Sequence, residues 1–177
     1  MQSNRKSIIA YVSIIFSMIF WGISFVWTKE LLNANFPVFL ILTIRLAIAS
    51  LLMFSVFKLM GKLERIEKTD LPKFFLLALF EPFLYFIGEN FSMHFVDASF
   101  AAIMIALLPI VNPIALHIFN KDKIGWNLLF GAVISVIGIM IMSINPEGGI
   151  KISWQGTLLL LLAVFAGSGY SVILSRL

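Results

Sequence analysis

The chain has 177 residues, of which 60% are hydrophobic and 12% charged, with a formal net charge of +4 and no cysteine. Soluble domains run at roughly 45–50% apolar and about 25% charged residues, so a water-soluble fold is excluded, and disulfides and thiolate metal sites with it. The basic residues lie between apolar blocks, where they orient a protein in a bilayer; no nucleic-acid partner is expected.

Six apolar blocks are predicted as spanning helices, each near the ~20 residues needed to cross ~30 Å of hydrocarbon. Helix is the expected form, because unpaired backbone is costly in lipid and the period-two pattern of barrel strands is missing. The first block is too long for the apolar region of a cleavable signal peptide, and further spans follow it. Span one is predicted over residues 7–28. Its Ser13, Ser17, Trp21, Ser24 and Thr28 share one helix face. Trp21 lies too deep for the interfacial aromatic belt and is a candidate to line a cavity and stack on substrate. The competing reading is small-residue packing, with hydroxyls bonded to their own backbone.

Span two, 36–59, carries Arg45, and the mixed-charge stretch KLMGKLERIEKTDLPK that follows reads as a solvated loop. Span three, 71–95, contains LFEPFLYFIGENF, which sets two glutamates and a proline in apolar helix. Glu81, Tyr85 and Glu89 are spaced by one helical turn and share a face, extended by Gly88 and Ser92. Lipid does not tolerate such a face, so it is expected to point into the bundle. Pro82 removes a backbone donor and shapes the helix there.

Span four, 98–119, carries PIVNP: Pro109 and Pro113 are expected to bend it, with Asn112 between them. Span five, 124–143, offers Gly131, Ser135, Gly138 and Met142 as a close-packing face. Span six, 155–174, follows NPEGGIKISW. His94 and His117 fall near span ends and read as interfacial, since a metal site needs more ligands than His94 and Asp97 provide. No metal and no cofactor is expected, and no phosphate loop, nucleophile elbow or zinc-protease motif occurs.

Ten basic residues fall on one side of this arrangement: Arg5, Lys6, Lys58, Lys62, Arg65, Lys68, Lys73, Lys121, Lys123 and Arg176. Two, Lys29 and Lys151, fall on the other. The bias predicts a cytoplasmic N-terminus. Counted at 1.5 Å per residue, Arg45 lies about 13 Å from the outer membrane face, between Glu89 at about 9 Å and Glu81 at about 21 Å. Arg45 is therefore placed to pair with either. One glutamate would stay ionised against it and the other would be free to take up a proton, an arrangement that suits proton-coupled export or carboxylate binding. A structural polar clamp between spans two and three is the competing reading.

Span six weakly repeats span one, FAGSGYSVILSRL against FWGISFVWTKEL, and the two enter from opposite sides, as in inverted-repeat transporters. Four further stretches carry a family resemblance: WGISFVWTKELL, LTIRLAIASLLM with Arg45, VDASFAAIMIALLPIVNPI, and DKIGWNLLFGAVISVIGIMIM. In this order they resemble the EamA-type transporters of the drug/metabolite transporter superfamily, over nearly the whole chain. The family's Gly-Glu before span five stands here as Lys121-Asp122, with Asp122 nine residues before Gly131. The Glu81-Pro82 pair is not part of the general pattern.

The resemblance implies an all-α polytopic membrane bundle, part of a 5+5 inverted repeat, with span four beside the pathway, which makes Asn112 a candidate ligand. Residues 1–145 would form the first five-helix repeat, and 146–177 a linker and the first helix of the second. The chain would be the N-terminal part of a longer transporter, or a short protein that dimerises. The implied function is a secondary transporter, expected to be an exporter, of small metabolites, amino acids or drugs in the bacterial inner membrane. Its partners would be a small-molecule substrate, the lipid bilayer, protons, and either the second half or a second copy. A structural or receptor-like membrane protein, and an intramembrane lipid-modifying enzyme, are the alternatives. An enzyme would need an attacking residue beside the glutamates.

Overall fold

The computed structural model describes residues 2–63, 66–121, 125–128, 130–131, 133–134, 137 and 153–176, with side chains from residue 8 onward. Most of predicted span five, with Ser135, Gly138 and Met142, lies outside the described residues, as do Asp122, Lys123, Arg65, Lys151 and the side chains of Arg5 and Lys6. Among the described residues the regular structure is all helical, and five stretches are long and apolar enough to cross a membrane: Ile8–Asn33, Val38–Leu59, Leu71–Ser92, Ala98–Asn120 and Trp154–Leu174. The chain is a polytopic membrane helix bundle.

Helix α1 runs Gln2–Asn33, longer at both ends than its apolar block. Once a helix is nucleated each added residue gains a hydrogen bond, so the helix continues past the hydrocarbon into polar residues. It ends at Asn35, whose φ of 62° is left-handed. The Asn35 and Phe36 amides donate back to the Leu32 and Leu31 carbonyls, satisfying two of the free C=O groups of the last turn. Pro37 then sets the extended entry to α2, Val38–Leu59. Helix α2 closes in the same way at Gly61, where φ is 64° and glycine carries no Cβ penalty; Gly61 and Lys62 donate to Lys58 and Phe57.

Span three is discontinuous. Helix α3, Leu71–Ala78, and helix α4, Tyr85–Ser92, are separated by a break over Leu79–Leu84. Within the break Glu81 is extended, with φ −140° and ψ 121°, and its peptide bond to Pro82 is cis. Span four is also divided, into α5, Ala98–Ile105, and α6, Leu108–Asn120, by a turn at Ala106 and Leu107. Pro109 sits in the first turn of α6, where a missing N–H costs nothing, while Pro113 sits inside the helix. Helix α7, Trp154–Leu174, starts on a Ser153 cap whose Oγ accepts from the Gly156 amide at 3.2 Å.

Helix α7 is the axis about which the other segments pack. Leu160, Ala163, Val164, Ala166, Gly167 and Ser168 are buried against α4, α5 and α6. Lipid tails are as apolar as leucine, so helix association here comes from close packing, which favours small residues at contacts. The closest approach is at Gly88: a Cβ there would lie 2.5 Å from the Leu159 carbonyl oxygen and 2.9 Å from the Ala163 nitrogen. Gly22, the counterpart of Gly167 in the sequence comparison, has no atom within 4 Å of such a Cβ, whereas Gly167 meets Leu108 and Tyr85.

Two polar clasps establish which helix ends lie together. At one end of the bundle, Lys29 Nζ donates to the carbonyls of Met93 and Val96, tying the end of α1 to the turn after α4. At the other, Asn120 bonds Ser175, and Arg176 donates to Asn120 Oδ1 at 2.8 Å and the Phe119 carbonyl at 2.7 Å. Helices α6 and α7 are therefore parallel, and both run against α4.

Candidate functional site

Helix α4 carries the acidic face. Tyr85 and Glu89, one turn apart, are 2% and 1% exposed, and Gly88 and Ser92 are buried beside them. The close approach of α7 at Gly88 is what shuts this face away from lipid. Glu81 sits half-buried in the break before α4. Tyr85, Glu81, Glu89 and Arg45 are within electrostatic range of one another. The Tyr85 hydroxyl and Glu89 Oε2, both enclosed, are close enough to attract one another, yet neither completes a hydrogen bond of good geometry. A buried polar atom without a partner loses its hydration without replacement, so the face holds hydrogen-bonding capacity that the protein itself does not use.

Arg45, half-buried, is held differently from the ion pair expected of it. Its guanidinium lies 5.2 Å from the Phe86 ring centroid, and Nη1 reaches Thr28 Oγ1 at a long 3.5 Å. Lys73 pairs with Asp70 at the surface, 2.9 Å, whereas no ion pair joins Glu81 or Glu89 to Arg45. The i, i+4 spacing that joins Tyr85 to Glu89 puts Phe86 on a neighbouring face of α4, and it is this ring that meets α2.

Trp21 and Asn112 come together elsewhere. Both line a cleft of about 520 Å³ between α1 and the α5–α6 turn, with Phe25, Ile105, Leu108 and Pro109 in its walls. Trp21 is tilted against Phe25, with ring centroids 6.3 Å apart. Asn112 is fixed in place: its Oδ1 accepts from Ser168 Oγ at 2.7 Å, leaving its amide N–H groups for other partners. Leu108 packs towards Gly167 from the cleft side, and Tyr85 meets the same glycine. The cleft and the acidic face thus share a wall. A second pocket, about 290 Å³, opens between α1 and α2 and contains Arg45, Thr28, Ser24 and Trp27.

The polar stripe of α1 divides along its length. Ser13 and Ser17 are exposed, Ser24 Oγ donates to the Trp21 carbonyl at 2.6 Å, and Thr28 is buried under Arg45. The remaining proline, Pro82, follows Glu81 in the break. His94 is exposed, its ring 6.3 Å from that of Phe91. Among the described residues no three His, Cys, Asp or Glu side chains gather as a metal site would require.

Three contributors escape a reading of the sequence. Asn90 is wholly buried, donates Nδ2 to the Phe86 carbonyl at 2.8 Å and leaves Oδ1 without a partner. Its place beside Glu89 is the one signal that could have raised it. Ser168 is needed to hold Asn112, and Lys29 to hold the turn after α4; both depend on residues more than fifty positions away.

Comparison with known proteins places this geometry in context. The model of the EamA-like transporter family matches residues 8–144. A protein of Archaeoglobus fulgidus named an uncharacterized transporter is 30% identical over 133 residues, 75% of this chain and 47% of that protein. The uncharacterized transporter YdfC of Bacillus subtilis is 28% identical over 156 residues, 88% of this chain and 50% of that protein. The chain spans about half the length of these curated relatives. No solved structure matches it significantly.

Proposed function

The chain belongs to the EamA-like transporter family, and from that premise we propose that it forms part of a proton-coupled secondary transporter, an exporter of a small metabolite, amino acid or drug. Family membership supports transport over catalysis. The substrate cleft is the space between α1 and the α5–α6 turn, where Trp21 offers a stacking surface and Asn112 oriented amide donors. Glu89, with Glu81, is the proton-carrying group.

The observation that carries this reading is the enclosed Oε2 of Glu89, which completes no well-formed hydrogen bond, on a face that adjoins the cleft through Leu108 and Tyr85. Ionisable groups inside a span are costly and mark ion and substrate pathways. A carboxyl oxygen shielded from lipid, with the Tyr85 hydroxyl near it but no well-formed hydrogen bond, is free to carry a proton. The break at Glu81 supplies a place where the wall of the cleft can bend between states, since irregular backbone in a membrane is tolerated where it lines a protein cavity. The N-terminus is assigned to the cytoplasm of a bacterial cell, the chain to its inner membrane, and the rest of the pathway to a second half or a second copy.

Proteoliposomes loaded with a pH-sensitive dye test the coupling, with amino acids and small drugs screened for substrate-dependent proton flux. Glu89→Gln and Glu81→Gln should each abolish that flux while leaving the yield of folded, membrane-inserted protein unchanged. Wild-type flux in both variants would disprove the coupling.

A further inference from the structure

Proton exchange at Glu89 leaves Arg45 without a task. A guanidinium carries five N–H donors; among the described residues one of them finds a protein acceptor, Thr28 Oγ1 at 3.5 Å. Phe86 covers one side of the group and contributes no counter-charge. Glu89 acts on it only from beyond contact distance, and among the described residues no carboxylate pairs with it. A charge at this depth is costly unless an opposite charge meets it. Arg45 nonetheless lines an open pocket of about 290 Å³ between α1 and α2, close to the lower size of ligand sites.

The walls of that pocket are chemically divided. Arg45, the buried Thr28 and Ser24, whose hydroxyl is given to the Trp21 carbonyl, form its polar part, while Trp27, Phe36 and Ile44, exposed at 62%, 47% and 49%, line the side that opens laterally. The planar fork of a guanidinium matches a carboxylate in a two-point contact. A single positive charge suits a monoanion, and the aromatic and aliphatic rim suits an apolar body. We infer that the α1–α2 pocket binds an amphiphilic monocarboxylate, with its carboxylate on Arg45 and the Thr28 hydroxyl and its body along Trp27, Phe36 and Ile44. The site is separate from the α1–α5 cleft and goes beyond the proton-coupled reading.

The full chain in phosphatidylcholine nanodiscs, with no pH gradient, provides the test. A terminally brominated dodecanoate should quench tryptophan emission saturably, dodecanoate should displace it, and Trp27→Phe should remove most of the quenching. Arg45→Gln should weaken binding by about tenfold or more, the loss of a charge-assisted pair. Ile44→Phe, which narrows the pocket and leaves the guanidinium in place, should weaken it as well and carries the test if Arg45→Gln does not fold. Equal binding of the brominated alcohol, displacement by acetate as effective as by dodecanoate, or undiminished binding in the folded variants would overturn the assignment. Because binding is read without transport, its failure leaves the Glu89 reading standing, and the reverse holds.

Discussion

Asn112 and Ser168 show how single polar side chains act in this setting. Water is not at hand to take over a lost partner inside a bilayer, but neighbouring groups often are, so interhelical hydrogen bonds are worth less than their isolation implies. A double-mutant cycle over Asn112→Ala and Ser168→Ala, followed by unfolding in detergent, should give a coupling of about 1 kcal/mol. Ser168→Ala alone should also lower apparent affinity in transport, because an unheld Asn112 no longer presents its amide to the cleft. No coupling between the two sites would show that the 2.7 Å contact does not hold Asn112. Glu89 and Arg45 stand in contrast to this pair. Each is left under-satisfied by the protein, and that is why both are assigned to ligands, a proton and a carboxylate.

Among the helices, the contact of α4 with α7 governs whether the acidic face stays enclosed. It rests on the absence of a side chain at Gly88, where a methyl group would press on the backbone of α7. Gly88→Ala should destabilise the protein by about 1–3 kcal/mol, the usual range for overpacking. Gly22→Ala, in open space, should be neutral or slightly stabilising, since alanine is the better helix former. Thermal unfolding of the two variants in one detergent checks both; equal melting temperatures would mean that α4 and α7 are not in contact at Gly88. These contacts were partly legible in advance. The i, i+4 spacing of Glu81, Tyr85 and Glu89 marked the inward face of span three, because a polar stripe cannot face lipid. The depth count also brought Arg45 level with that face. It could not say that Arg45 would meet the Phe86 ring, because the rotation of one helix about its axis against another is fixed by packing along their whole length.

At the level of the molecule, the bundle depends on a helix that the family match does not include. The match ends at residue 144, whereas α7 begins at Trp154 and supplies much of the buried centre. Removing residues 153–177 should therefore leave a chain that inserts but extracts from the membrane as a broad, aggregated species. Size-exclusion profiles of the shortened and full chains compare them directly; a sharp, monodisperse peak from the shortened chain would show that α7 is dispensable. The sequence by itself determined the membrane setting, the succession of helices and the polar positions along each one, because hydropathy and helical period are properties of neighbouring residues. Only the tertiary structure decided that α7 is central, that spans three and four are broken at Glu81 and at Ala106 and Leu107, and that Trp21 and Asn112 line one cleft while Arg45 opens on a pocket of its own. Those outcomes rest on contacts between residues far apart in the chain, and close packing sets them all together.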